Sequence, residues 1–495
     1  MITDERLAFG GGFGATSSSA PETAPSPVPT NATRADRAEH QSRDWAYTGL
    51  LAFTAVLLFR PQDQIKILEP FHLAQVCALA ALAAMLVSRL RRHLTLVPLT
   101  PETVGLMCFG FVILATVPFS IWPGGALGVF VDAYLKAVMV FLLMINTLTT
   151  PKRLEQMAWL ILVCCGYIAF RAVFDYARGI NLVENGRVAG AVSGIFGNPN
   201  DLALNMVTFL PVALTFALLR RYSAVRRLAA ASFAVLMMAT VVFTKSRAGV
   251  LGLGLMLVAF LFLGRKIRPG FTAAVLAATL LATPFLPASF WNRMATIGDE
   301  DQDKAEFTGS TQARRILLEE GFDAFLENPI TGVGLGQFKS YNPNGRQERW
   351  HETHNALLQV AADTGIFGFA AFVFLIGCGA VASLQARRML ARPGRHTVDR
   401  LALTVGADDR KFLYAFATAS AASLIGWFVC AFFASVAYGW TFYYLLALLV
   451  ATRNLVASRL ALARDLTADN TAGPLAADGS NREKEKSPTW TPQIA

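Results

Sequence analysis

Three clusters in this 495-residue chain combine residue types and spacing suited to chemistry. The first is Thr244-Lys245-Ser246-Arg247-Ala248-Gly249, which joins two apolar stretches. Ser246 is suited to cap the helix that follows and so puts Arg247 in its first turn. The backbone dipole is positive there, and a cation is disfavoured by about 0.3–1 kcal/mol. A bound anion relieves that conflict, because the free N–H groups of a helix start bind phosphate and an arginine adds a bidentate fork. The competing role for Lys245 and Arg247 is contact with lipid headgroup phosphates. The second cluster is Thr311 to Leu326, where Ile316, Leu317, Phe322, Phe325 and Leu326 recur at helical spacing and Arg314 and Arg315 stand near the start. It reads equally as a solvated amphipathic helix with surface arginines. The third is Trp350-His351-Glu352-Thr353-His354-Asn355. Its histidines are three apart, whereas the helical zinc-protease motif needs them four apart around a glutamate. His354 lies where the next apolar block begins. The positive end of a helix dipole there lowers an imidazole pKa from its usual value of about 6.5, leaving a neutral group able to accept a proton. Cap or interfacial residue is the plainer role.

Other features have structural readings of their own. Gly197-Asn198-Pro199-Asn200-Asp201 is a complete helix start, with a cap, a first-turn proline and a first-turn acid, although Asn200 and Asp201 can also hydrogen-bond a sugar. Asp132 and Lys136, four apart in an apolar stretch, read as a buried structural ion pair. Asn328-Pro329-Ile330-Thr331-Gly332-Val333-Gly334-Leu335-Gly336-Gln337-Phe338 looks like a nucleotide loop. It lacks the Lys-Ser/Thr continuation and reads as a run of tight turns. The acidic residues Asp299, Glu300, Asp301, Asp303 and Glu306 lack the glycine turn and spacing of a calcium loop. All six cysteines fall in apolar stretches without metal spacing and read as packing residues.

The elements that must position these residues are membrane helices. About twelve apolar stretches lie near 45–59, 71–87, 103–121, 126–147, 157–174, 200–219, 228–244, 248–263, 271–286, 355–383, 412–434 and 437–457. Every second loop is basic, with Arg89, Arg91 and Arg92, then Lys152 and Arg153, then Arg220 to Arg227, then Arg265 to Arg268, then Arg387 to Arg400. The positive-inside rule makes those loops cytoplasmic. Both termini are then inside, and the turns at 197–201 and 244–248 and the segment 287–354 are outside. A loop of that length is usually functional. A composition of 54% hydrophobic and 16% charged residues excludes an ordinary soluble enzyme. The net charge of +10 sits mainly in the basic loops facing anionic lipid, and calls for no nucleic acid. Residues 1–44 and 465–495 have the composition of disordered cytoplasmic arms, which leaves 45–464 as the membrane domain. The expected fold is all-α and polytopic, with about 12 transmembrane helices.

With these residues in place, the chain resembles the O-antigen ligase and Wzy-type polymerase superfamily of bacterial envelope glycosyltransferases. The resemblance covers about 190–385. It rests on Phe196-Gly197-Asn198-Pro199-Asn200-Asp201, on Thr244 to Gly249, on Arg314 to Phe338 with its Asn-Pro-x-x-Gly-x-Gly core, and on His354-Asn355-Ala356-Leu357-Leu358 running to Asp363-Thr364-Gly365. It implies a multi-span fold in the bacterial inner membrane, with 287–354 as a large periplasmic loop containing short helices. It also implies transfer of a glycan from undecaprenyl diphosphate to a glycan or lipid A core acceptor, with no metal and no nucleotide cofactor. Arg247 and Arg314 match the family's arginines, with Lys245 and Arg315 beside them, and His354 matches its histidine. Asn198, Asn200, Asp201 and Asn355 fall at positions suited to the substrate. The tryptophan often found four residues beyond the loop arginine is Leu318 here. The alternative class is a transporter or flippase of lipid-linked glycans, for which inverted repeats and helices broken at the midplane are expected; neither is evident in the sequence.

Overall fold

The structure, a computed structural model, describes residues 44–183, 186–190, 196–264, 310–341, 352–391 and 400–471, with isolated positions at 270 and 291. In chain order its long helices are α1 (Trp45–Phe59), α2 (Leu73–Arg91), α3 (Pro101–Thr116), α4 (Pro123–Thr147), α5 (Pro151–Arg178), α6 (Pro199–Leu218), α7 (Ala224–Phe243), α8 (Arg247–Leu263), α9 (Ser310–Glu327), α10 (Ala356–Ala391), α11 (Ala407–Ala431) and α12 (Trp440–Thr471). The strands among the described residues are one short pair, β1 (Leu182–Val183) and β2 (Arg187–Val188), antiparallel with Leu182 opposite Val188. Nine of these helices are long and apolar enough to cross a membrane, and α1 and α8 are shorter apolar helices. The protein is an all-α, multi-pass membrane protein. Eleven expected apolar blocks, those nine and those two, coincide with described helices; the block at 271–286 and the acidic run 299–306 lie outside the described residues.

Helix starts follow local chemistry. Thr100 before Pro101, Thr150 before Pro151, and Asn198 before Pro199 each cap with a side-chain oxygen while the proline takes a position whose N–H has no helical partner. Ser223 and Ser246 cap α7 and α8 in the same way.

The helices sort the loops into two ends. At one end Arg221 bridges Glu155 at 2.8 Å and Asp409 at 3.0 Å, joining the starts of α5 and α11 to the loop after α6. Arg387 donates to the Leu263 carbonyl at the same end, and Arg453 forms a bidentate pair with the buried Glu102 at 2.6 and 2.9 Å. The basic loops therefore converge. The turns before α6 and α8, the loop after α9 and the turn between α11 and α12 gather at the opposite end.

The apolar block from 355 is not one continuous helix. Gly365 has φ 69° and ψ −167°, and this break separates the first turns of α10 from the stretch beyond Ile366. The loop after α9 fills the break. Val333 N–H donates to Ala362 O at 2.8 Å, Gly334 N–H to Asp363 O at 2.9 Å, and Ile366 N–H to Pro329 O at 2.8 Å. Backbone groups released from the helix thus find protein partners, the condition for irregular backbone beside a membrane. Approach is so close that a Cβ on Gly332 would meet the Asp363 carbonyl carbon at 2.4 Å, and one on Gly365 would meet Ile330 O at 2.3 Å. The glycine ladder is a plug of tight turns. A small second core of Leu317, Ala324, Val333, Phe338 and Ala362 holds α9 and the ladder to the start of α10.

Three expectations are corrected. Asp132 and Lys136 pair at 2.8 Å, but the Asp132 side chain is 75% exposed, because the π-helical turn Phe130–Leu135 carries the pair on the outside of α4. Cys108 is exposed on α3, whereas Cys164, Cys165, Cys378 and Cys430 are buried. Residues 465–471 are helical rather than a disordered arm, since α12 continues to Thr471.

Candidate functional site

The centre of the site is the first turn of α6. Asn198 Oδ1 accepts the Asn200 N–H at 2.8 Å and so fixes the turn. Asn200 Oδ1 then accepts from Ser246 Oγ at 2.8 Å and from Arg187 Nη2 at 2.7 Å. Ser246 in turn accepts the Gly249 N–H at 3.2 Å as the cap of α8. One carboxamide oxygen therefore ties the start of α6 to the start of α8. Gly249 is required where these helices meet, since a Cβ there would lie 2.7 Å from that of Ala203.

Arg187, on β2, is buried and also donates from Nε to the Thr244 carbonyl at 3.0 Å. Lys245 is buried too, in left-handed backbone with φ 48°. Its Nζ lies 3.5 Å from where a Cβ on Gly186 would be, at the β1–β2 turn. Arg247 opens α8 as its first residue. Two buried cations, Arg187 and Lys245, thus stand at the turn into α8, with Arg247 as the first residue of that helix, an arrangement that favours an anion.

Asp201 carries the cluster towards Glu352, two residues before His354. It follows Asn200 in the same turn and lies within electrostatic range of Glu352, which pairs with Lys339 at 2.6 Å. Glu352 acts in the same way on Asp363. His354 itself is in left-handed backbone with φ 51°, and its N–H donates to Ser435 Oγ at 2.9 Å. Thr353 shares a 3.2 Å hydrogen bond with the same hydroxyl, and Gln359 Oε1 accepts the Ala437 N–H at 3.2 Å. The turn between α11 and α12 thereby clamps the backbone on both sides of His354. The cap of α10 is Asn355, whose Oδ1 accepts the N–H groups of Leu357 and Leu358 at 2.9 and 3.0 Å. His354 stands one residue outside the helix.

Asp363 is buried beneath the ladder and accepts the Gly336 N–H at 3.0 Å and the Phe338 N–H at 3.4 Å. The Tyr438 phenol faces it. Burial, reinforced by Asp363, pushes that phenol well above its usual range, so it stays protonated.

The structure thus brings Lys245, Arg247, Asn198, Asn200 and Asp201 together, with Glu352 linking them to the segment of His354 and Asn355. Arg315 stands apart, with a 71% exposed side chain paired to Glu319 on α9 at 3.2 Å. The side chain of Arg314 and all of His351 lie outside the described residues. No three His, Cys, Asp or Glu side chains converge as a metal-ligand set among the described residues. Sequence reasoning gave Arg187 no role and quoted Asp363 only within a matching segment, although each carried a signal: Arg187 is a cation in a loop on the side where the positive-inside rule disfavours one, and Asp363 is a charge inside an apolar block.

Residues 232–373 match the family model described as O-antigen ligase. That segment is similar to the O-antigen ligase family. No curated protein matches the chain. The matched segment contains the Lys245–Arg247 turn, α9, the glycine ladder, His354 and the break at Gly365. Arg187, Asn198, Asn200, Asp201 and Ser435 come from outside it, so flanking segments complete the surroundings of the matched one.

Proposed function

We propose that the protein is an inverting glycosyltransferase that moves a glycan from undecaprenyl diphosphate to a hydroxyl acceptor at the periplasmic face of the inner membrane, as an O-antigen ligase or a polysaccharide polymerase. The observation that carries this reading is the first turn of α6, where the Asn200 carboxamide oxygen holds both Ser246 of the cationic turn and Arg187. A lipid diphosphate is an anionic leaving group, and a cationic cluster at two helix starts suits it. Arg247, with Lys245 beside it and Arg314 from α9, holds the diphosphate and stabilises the charge that grows on it. Asn198, Asn200 and Asn355 build the site by capping and cross-linking, and Asp201 faces the sugar.

The acceptor hydroxyl gives its proton to the His354 imidazole. Its oxygen bonds to the anomeric carbon while the bond from that carbon to the diphosphate oxygen breaks, and the electron pair leaves with the diphosphate. Attack from the face opposite the leaving group inverts the centre. The residues assigned to these steps call for neither metal nor nucleotide. The break in α10 gives no support to a transporter, because the glycine ladder satisfies its free backbone groups.

The test is reconstitution of the full chain with lipid-diphosphate glycan and candidate acceptors, in the presence of chelator and without nucleotide. Product with inverted anomeric configuration by NMR is expected. A strict requirement for divalent cation or ATP, or vesicle translocation of the donor without transfer, removes the proposal.

A further inference from the structure

The helix α9 carries three faces, and a helix that merely covers a domain needs two. Residues advance by about 100° each, so positions four apart form a row. Leu317, Gly321 and Ala324 face the protein: Leu317 and Ala324 belong to the small second core, and Gly321 packs within 3.0–3.2 Å of where its Cβ would meet Leu358 and Thr353. Glu319, Asp323 and Glu327 form an acidic row on another face. Arg315 pairs with Glu319, and Tyr341 donates to Glu327 at 2.7 Å, along this polar side. Between these two faces runs a third row, Leu318, Phe322 and Leu326, which is 39%, 54% and 57% exposed. Ile330 extends it at 63%.

This apolar row does not end in solvent. Pro329 O accepts the Ile366 N–H, so Ile330 lies against the point where α10 resumes after its break. Ile366 and Phe367 are exposed there, and Val373 and Phe374 continue the exposed face along a helix long and apolar enough to cross a membrane. Ile330 thus joins the exposed row on α9 to the exposed apolar residues of α10.

We infer that α9 is an interfacial helix whose Leu318–Phe322–Leu326 row, continued by Ile330, rests among the acyl chains of the phospholipid leaflet at the site end of the molecule. An apolar row of Leu and Phe beside a charged row is the amphipathic pattern of a helix lying in the plane of a membrane interface, here with acidic residues where Lys and Arg are usual. Its acidic row points to water. Arg315 stands at the border of the apolar and acidic rows, where its stem can follow the apolar surface and its guanidinium can stay at headgroup level. Membrane seating then fixes the depth of the loop helix, independently of what reaction the loop serves.

The experiment places p-benzoylphenylalanine at single positions of the full chain, reconstituted in phosphatidylethanolamine–phosphatidylglycerol vesicles, and identifies photoadducts by mass spectrometry. Phe322 and Leu326 are the test positions, Val373 on α10 the lipid-facing control and Asp323 the water-facing one. Phospholipid adducts at 322 and 326 comparable to those at 373, and about tenfold above those at 323, are expected for a row seated among acyl chains. Lipid adducts no more frequent at 322 and 326 than at 323 overturn the inference. Cross-links to a second copy of the chain or to another protein at 322 and 326 overturn it as well. Two test positions keep the outcome decisive if one variant fails to fold, and no glycosyl transfer is measured, so failure of the proposed reaction leaves the result intact.

Discussion

Asn200 spends its single side-chain oxygen on two donors, Ser246 and Arg187, and through them sets where the cations of the α8 turn stand. Arg247 is the residue whose replacement discriminates best. Lysine keeps the charge but loses the planar fork, and charge-assisted hydrogen bonds are worth about 1.5–3 kcal/mol, so Arg247→Lys is expected to lower transfer by about tenfold or more at equal protein level. Output equal to the parent in a quantitative glycan assay would favour simple headgroup contact instead. For His354→Ala the expected loss is about 100 to 10,000-fold, the usual contribution of a general base, while the detergent-solubilised protein keeps its thermal unfolding midpoint. His351→Ala, three residues earlier, is expected to retain most activity; equal losses in both variants would move the base elsewhere. Residues such as Ser246 and Asn198 were legible in the sequence because capping is local, a matter of which oxygen precedes which N–H. Arg187 was not. Its partners Thr244 and Asn200 are remote in sequence, and only the fold brings them within hydrogen-bond reach.

At the scale of the element, the informative feature is the break in α10. An apolar run from 355 to 383 has nothing in its periodicity to announce a break, because glycine and threonine are both tolerated inside membrane helices. What decides it is tertiary: the ladder 332–336 offers N–H groups to Ala362 and Asp363, and those carbonyls take them. Gly365 occupies a backbone region open in practice to glycine alone, which costs another residue on the order of 1–3 kcal/mol before the contact with Ile330 O is counted. Gly365→Ala is therefore expected to loosen the ladder, raising protease sensitivity of the segment around Gly334 and lowering the unfolding midpoint. Gly377→Ala, in the same helix with open space around its Cβ, is the control and is expected to leave both unchanged. Protection of the ladder at the parent level in the Gly365 variant would mean that the plug is held by something other than the break.

For the whole molecule, the alternation of basic loops was legible without any structure, since arginines are counted along the chain and the ends of an apolar helix lie on opposite sides. The structure adds that these loops meet: Arg221 reaches Glu155 and Asp409, and Arg387 reaches Leu263. Less legible was how the other end is assembled, because Ser435, Asn200 and His354 lie on separate loops that no local pattern pairs. The orientation of the two ends is open to a direct measurement. The positive-inside rule puts the Arg221 end in the cytoplasm and Ser340 in the periplasm. Whole cells carrying Ser340→Cys are expected to react with a membrane-impermeant thiol reagent, and cells carrying Arg395→Cys to react only after the membrane is opened. Native thiols are counted in the unsubstituted chain and subtracted. Labelling of 395 in intact cells with 340 protected would invert the molecule, place the cationic turn and His354 on the nucleotide-containing side, and remove the setting in which a lipid diphosphate donor is presented to them.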